Sequence, residues 1–274
     1  MQFSYVEINK PKDEQPARAG PTTFCIALGL IIGCLSGTSK VVANSLPWDD
    51  YDRLLNTYVV GGTTDGVSLN QVDYSGLGQD KGFANLIEDL AAFQLRDLDS
   101  RSETLAFYIN AYNILTLKVV LDNWPLKSIK DVGNIFRPVW KRAAGVIDGK
   151  SVSLHEIEHE RLRKMDEPRS HFAIVCASVS CPDLRMEAYR SEKLGEQLDS
   201  QIRNFLNNPG KGLRSNGDRA EISQIFQWFE QDFATRGGVE GFIRRYHTLP
   251  DGVQLRPSLN YNWSLNVRSG KRRN

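Results

Sequence analysis

The stretch ETLAFYINAYNILTLKVVLDN, residues 103–123, decides how the chain must fold. Read as a helix, it carries Leu105, Phe107, Ile109, Tyr112, Ile114, Leu115, Leu117, Val119 and Val120 on every side. A helix without a polar face belongs in the interior, with other elements packed all around it. Trp124-Pro125 closes it, because the residue before a proline is pushed out of the helical region. Asn110 and Asn113 fall three residues apart on one face of this apolar rod. A buried amide left without partners costs about 1–3 kcal/mol, so both must find them. Two outcomes are open: they hold the backbone of a neighbouring loop, or they line a polar substrate site. Tyr112, between them, is expected to project elsewhere.

Working outward, residues 46–60 read as a helix, with Trp48, Tyr51, Leu54, Leu55 and Tyr58 at helical spacing, and residues 82–93 repeat the pattern more weakly. Ser153 with Glu156 three residues on forms a capping box that opens a helix over 154–164. Ser191 is expected to cap a helix reaching about Phe205, and Ser223 one over 224–233. Asp148-Gly149 signals a hairpin within residues 146–152, since this dipeptide suits a type I′ turn, and Asn216-Gly217 signals a second between Leu213 and Ile222. HFAIVC, residues 171–176, reads as a compact central strand. Tyr261, Trp263 and Leu265 alternate with polar residues as a last strand would. Helices mixed with short strands, without βαβ regularity, give an α+β class. We expect a mostly helical single domain over residues 44–274, with a small, mainly antiparallel sheet.

A net charge of +1 over 274 residues gives no global attraction to nucleic acid, and the basic tail Arg268, Lys271, Arg272 and Arg273 is a solvated end. No motif asks for a cofactor. Near the start, TTFCIALGLIIGCLSG (22–37) is apolar and uncharged. It is short for a membrane span, which needs ~20 residues, but suits a signal-peptide core. Residues 1–43 are therefore expected to be a signal peptide, cut after Val41-Val42-Ala43, or an N-terminal anchor. Ile31-Ile32-Gly33-Cys34 offers lipidation as a further route. The expected location is the periplasm or the cell envelope, with the membrane reached only through this segment.

Two constellations carry chemistry. His155-Glu156-Ile157-Glu158-His159 matches the H-E-x-x-H pattern in which two histidines one turn apart bind zinc and the glutamate activates water. Three features weaken a zinc peptidase: a charge at Glu158, the capping role of Glu156, and His171 and His247 in no third-ligand motif. No metal is therefore expected. The second constellation is Cys176 and Cys181, with small residues and Pro182 around them. A thiol becomes nucleophilic when a base or a positive field favours the thiolate. On a strand, His171 and Cys176 would point to opposite faces, which favours His159 as the base. Glu158 would orient it only weakly, since adjacent helix residues point apart. A Cys176–Cys181 disulfide and an inert buried thiol stay open beside the nucleophile.

Several stretches together resemble the domain-of-unknown-function family 547: residues 107–113 (FYINAYN), 153–159 (SLHEIEH) with Leu162-Arg163, 171–176, Ser180-Cys181-Pro182-Asp183-Leu184-Arg185, and 261–266 (YNWSLN). The resemblance runs from about Trp48 to Asn266. It implies export, as for many bacterial members. It also implies that Ile-Glu-His is characteristic of the helix, whereas the position of His155 is not. It further implies that serine can stand at Cys181, while the position of Cys176 is the more characteristic one. By analogy it suggests a papain- or transglutaminase-like core. Together these readings lead us to expect a cysteine-dependent hydrolase or transferase acting on a small peptide-like or thiol-containing ligand. Cys176 would be the nucleophile and His159 the base, with Glu158 beside it. Asn110, Asn113, His171, Cys181 and Arg185 would line the pocket. A non-catalytic binding or scaffold domain of the envelope is the competing reading, and a zinc metallopeptidase through His155, Glu156 and His159 is the second alternative.

Overall fold

A computed structural model describes residues 48–268. The expected targeting segment, residues 1–43, lies outside them, as do the last six residues. The described part is α+β, helical in the main with small sheets that are largely antiparallel.

Helix α1 (Trp48–Tyr58) buries Tyr51, Leu54 and Leu55. It stops two residues short of the expected end because Val59 opens a hairpin, β1 (Val59–Thr64) and β2 (Val67–Val72). Its turn is Asp65-Gly66, both at positive φ, a left-handed geometry that suits the short polar side chain and the glycine. A one-turn helix α2 (Tyr74–Leu77) and helix α3 (Lys81–Ala92) follow.

Helix α4 (Arg101–Asp122) is the axis of the fold. A capping box of Ser100 and Glu103 opens it, and fifteen of its residues are buried. It has the length and hydropathy of a membrane span, yet 83% of that window is covered by the rest of the domain. The expected hairpin forms as β3 (Ala143–Ile147) and β4 (Lys150–Ser153) around Asp148-Gly149. Beyond it, the Ser153–Glu156 capping box is present. The helix it starts then widens into a π-helix, Glu156–Leu162, in which the Arg163 N–H reaches the Glu158 carbonyl. Helix α5 (Leu194–Leu206) begins with a 3-10 turn, and Ser191 bonds Glu192 instead of capping it. Strands β5 (Leu213–Asn216) and β6 (Arg219–Ile222) pair antiparallel, and β7 (Gln254–Arg256) adds to β6 in parallel. Between them lie α6 (Ile225–Trp228), a 3-10 stretch Glu230–Arg236 and α7 (Gly238–Arg244).

Two expected strands are absent. Residues 171–176 do not form a strand: Pro168 starts a 3-10 helix that runs through Phe172, and no neighbouring strand pairs with 173–176. A side chain takes that place. Asn113 Nδ2 donates to the Ala173 carbonyl at 3.0 Å and its Oδ1 accepts from the Val175 N–H at 2.9 Å. Asn110 does the same for the Tyr189 carbonyl and N–H, at 2.8 and 2.9 Å. Residues 261–265 thread beside the cysteine loop through single bonds, Val179 N–H to Ser264 O and Asn266 N–H to Ala177 O, with one isolated bridge between Ser178 and Leu265.

The apolar interior has two clusters. One surrounds α4, and the other gathers Phe172, Phe205, Phe226, Phe233 and Phe242. Asn110→Leu keeps the volume but leaves the Tyr189 N–H and carbonyl buried and unpaired. It should lower the unfolding free energy by about 2–4 kcal/mol in urea titrations. A change below about 0.5 kcal/mol would remove the clamp from the account.

Candidate active site

Where the two clusters meet, a cavity of about 380 Å³ opens between α4, the π-helix, the cysteine loop and the C-terminal segment. It brings together Cys176, Cys181, His155, Glu158, His159 and His171, under an aromatic wall of Trp140, Trp228, Phe229, Tyr261 and Trp263. Tyr112 also faces it, contrary to expectation. Asn110 and Asn113 are spent on backbone instead. Arg185 belongs to a separate polar cleft with Asp52 and Asn70, where it pairs with Glu187 at 2.6 Å. Because residues 171–176 are not a strand, the parity argument separating His171 from Cys176 fails: both reach the same cavity.

Cys176 sits in a turn, not at a helix N-terminus. Ala177 after it holds φ 57°, a left-handed conformation that a residue with a Cβ adopts at a cost. Both cysteines are free thiols. The Cys176 N–H donates to Cys181 Sγ at 2.7 Å, and Cys176 Sγ lies 3.1 Å from Ser178 Oγ and 3.3 Å from the Tyr261 hydroxyl. Burial pushes the Cys176 thiol up. Hydrogen bonds from Cys181, Ser178 and Tyr261, with the Ser178 N–H, outweigh it and bring the thiol down to about 7. Cys181, fully enclosed and facing the Cys176 charge, is driven the other way.

The π-helix distributes its side chains unequally. Glu158 turns inward, with Tyr112 Oη at 3.5 Å, and does not hydrogen-bond His159. Burial first, then the charge of Cys176, raises its carboxyl to about 7 despite Arg163 and Tyr112. The His155 and His159 rings lie side by side, tilted by 34° with centroids 4.3 Å apart. Arg163, always a donor, meets His159 Nδ1 at 2.8 Å, so that nitrogen is an acceptor and the neutral ring carries its proton on Nε2. Burial, then His155 and Arg163, holds His159 down to about 4. As the expected base it is thus committed at one nitrogen and protonated at the other.

Asp232, unmarked in the sequence, organises the rest. It accepts from Arg163 Nε and Nη2 at 2.6 and 2.7 Å and from His171 Nε2 at 2.8 Å. Burial raises its carboxyl, but those two partners more than offset that and hold it low. His171, only 4% exposed, stacks on Phe229 at 4.1 Å. Burial lowers its pKa against the pull of Asp232, and its Nδ1 is enclosed without a partner. For zinc, Glu156 is turned back onto Ser153, and no group of three potential ligands is arranged for a metal among the described residues.

Fold and site together define an α+β domain with a cysteine at the foot of an aromatic cavity. Residues 95–206 match the family described as "Protein of unknown function, DUF547". No curated protein and no solved structure matches the chain. The matched segment holds Cys176, Glu158 and the three histidines of the cavity, whereas Trp228, Phe229, Asp232, Tyr261 and Trp263 come from beyond it.

Alkylation of the native chain by iodoacetamide should modify Cys176 with a midpoint below that of an ordinary thiol and spare Cys181, and Tyr261→Phe should move that midpoint upward. Equal labelling of both thiols would refute the assigned hydrogen bonding. Glu158 titrates near 7 when folded and near 4.5 when unfolded, so the folded state holds the extra proton between those values. Its contribution to stability therefore falls as pH rises through that window, by about 3 kcal/mol in all. The stability of Glu158→Gln minus that of the parent should rise from pH 4.5 to 7.5, and a flat difference would contradict the burial of this carboxyl.

Proposed function

We propose that this chain is a cysteine-dependent hydrolase or transferase that moves an acyl group through a thioester on Cys176. The observation that carries the reading is the sulfur's surroundings: hydroxyls of Ser178 and Tyr261 lie within hydrogen-bonding reach, in a cavity open to a small ligand. Those hydrogen bonds lower the thiol below its ordinary value and favour the thiolate as the attacking form.

The sulfur forms a bond to the acyl carbon, and the carbonyl π electrons pass to oxygen. As the carbonyl re-forms, the leaving amine, alkoxide or thiolate takes a proton from Glu158, which its surroundings keep protonated up to about pH 7. Water or a second nucleophile then attacks the thioester, Glu158 recovers the proton, and the thiolate departs. His159, carrying its proton on Nε2, acts as a hydrogen-bond donor to the substrate, while Asp232 fixes the orientation of His171. The aromatic wall suits a small peptide-like or thiol-containing substrate with an apolar or aromatic group. Work in the cell envelope is part of the proposal and rests on the apolar run at 22–37.

The test is a panel of acyl thioesters and activated esters offered to the full-length chain, with intact-mass detection of the adduct. Cys176 should acquire the acyl group, and Cys176→Ser should lower turnover by about three orders of magnitude or more while leaving the fold intact. Turnover unchanged in Cys176→Ser would end the reading.

A further inference from the structure

The most exposed apolar side chains in the described part are neighbours. Ile135 and Phe136 are each 96% exposed. They are held out by a built turn. Asn134 Oδ1 accepts from the N–H groups of Phe136 and Arg137 at 3.0 and 2.8 Å, and the Asn134 N–H returns to the Arg137 carbonyl at 3.2 Å. Gly133 permits the return, since a Cβ there would lie 2.4 Å from the Val139 nitrogen. Two adjacent large apolar groups fully in water are costly, and such exposure marks a contact surface.

The chemistry around the tip selects the partner. Lys127, Lys130, Arg137, Lys141 and Arg142 are all exposed, and none forms an ion pair among the described residues. Asp131 is the one carboxylate between residues 123 and 147, and it is turned back to accept from the Ser128 N–H at 3.0 Å. A cationic rim around an apolar tip complements an anionic bilayer, where the side chains enter the hydrocarbon boundary and the cations meet headgroups. Pro138, Trp140 and Lys141, immediately after the tip, line the cavity of Cys176.

We propose that residues 133–138 dock on an anionic membrane surface, inserting Ile135 and Phe136, and so bring the cavity mouth against the bilayer. This contact is separate from the apolar run at 22–37 and does not depend on the thiol chemistry.

The full-length chain is mixed with phosphatidylcholine vesicles, with and without phosphatidylglycerol, carrying a photoactivatable acyl chain, and the lipid adducts are mapped. Adducts should appear on residues 133–138 with phosphatidylglycerol. They should drop about tenfold or more in Lys127→Gln/Arg137→Gln/Arg142→Gln, and be lost in Ile135→Ser/Phe136→Ser. The same pattern is expected in Cys176→Ser. Adducts confined to residues 22–37, adducts on 133–138 indifferent to phosphatidylglycerol and to the three neutralisations, or self-association through the tip without lipid adducts would each overturn the proposal.

Discussion

Two amide side chains inside an apolar helix hold the molecule in register. Asn110 and Asn113 each pair with a backbone N–H and a carbonyl from a distant, irregular stretch, work that a neighbouring strand performs in a sheet. Without them, the segments at 173–175 and 189 would enter the interior with unpaired polar groups, a cost large beside the marginal stability of a domain. Since Cys176 directly follows Val175, the position of its sulfur is inherited from a bond made by α4. The small sheets contribute little to this arrangement, as each lies to one side of the buried helix.

The second constraint is electrostatic. Cys176, Glu158, His159 and His171 line one cavity, where burial disfavours the charged forms of Glu158 and of both histidines. The fold resolves the conflict by unequal partnering. Hydrogen-bond donors gather at the Cys176 sulfur, and Arg163 and His171 gather at Asp232. Burial raises the Glu158 carboxyl and shifts His159 and His171 toward their neutral forms. The π-helix matters here because within it Glu158 turns inward while His159 faces the cavity. A thiol favoured as the thiolate and a carboxylic acid lining the same cavity are the features on which the proposed acyl transfer rests.

Much of this was legible in the sequence, for reasons that differ by element. The buried helix announced itself through an apolar surface on all sides, and the Asp-Gly hairpin and the Ser153–Glu156 capping box through local chemistry. Cys176, Glu158, His159 and His171, all candidates from the sequence, line one cavity, although His171 is expected there on the opposite face from Cys176. The misread strand and the misassigned histidines share one cause. HFAIVC has the composition of a strand, but strand identity depends on a partner, and here that partner is an amide side chain from another element. The roles of His159 and His171 turn on Arg163 and Asp232, the latter 61 residues from His171, a separation no local pattern reports. The hairpin at 59–72 was readable from its Asp65-Gly66 turn, which Gly61 and Gly62 in its first strand obscured.

The left-handed turn at Ala177 bears on how the domain tolerates change. The residue after the sulfur is forced into a conformation that glycine adopts freely, while its carbonyl is tied to Asn266 near the other end of the described chain. The tension in that turn is thus balanced by a tether contributed by the C-terminal segment, which also supplies Tyr261 and Trp263 to the cavity. Shortening the chain before residue 261 would therefore do more than remove a wall. It would release the turn and dissolve the sulfur's setting, so the segment matched to the family, taken alone, holds the reactive groups without the means to keep them poised.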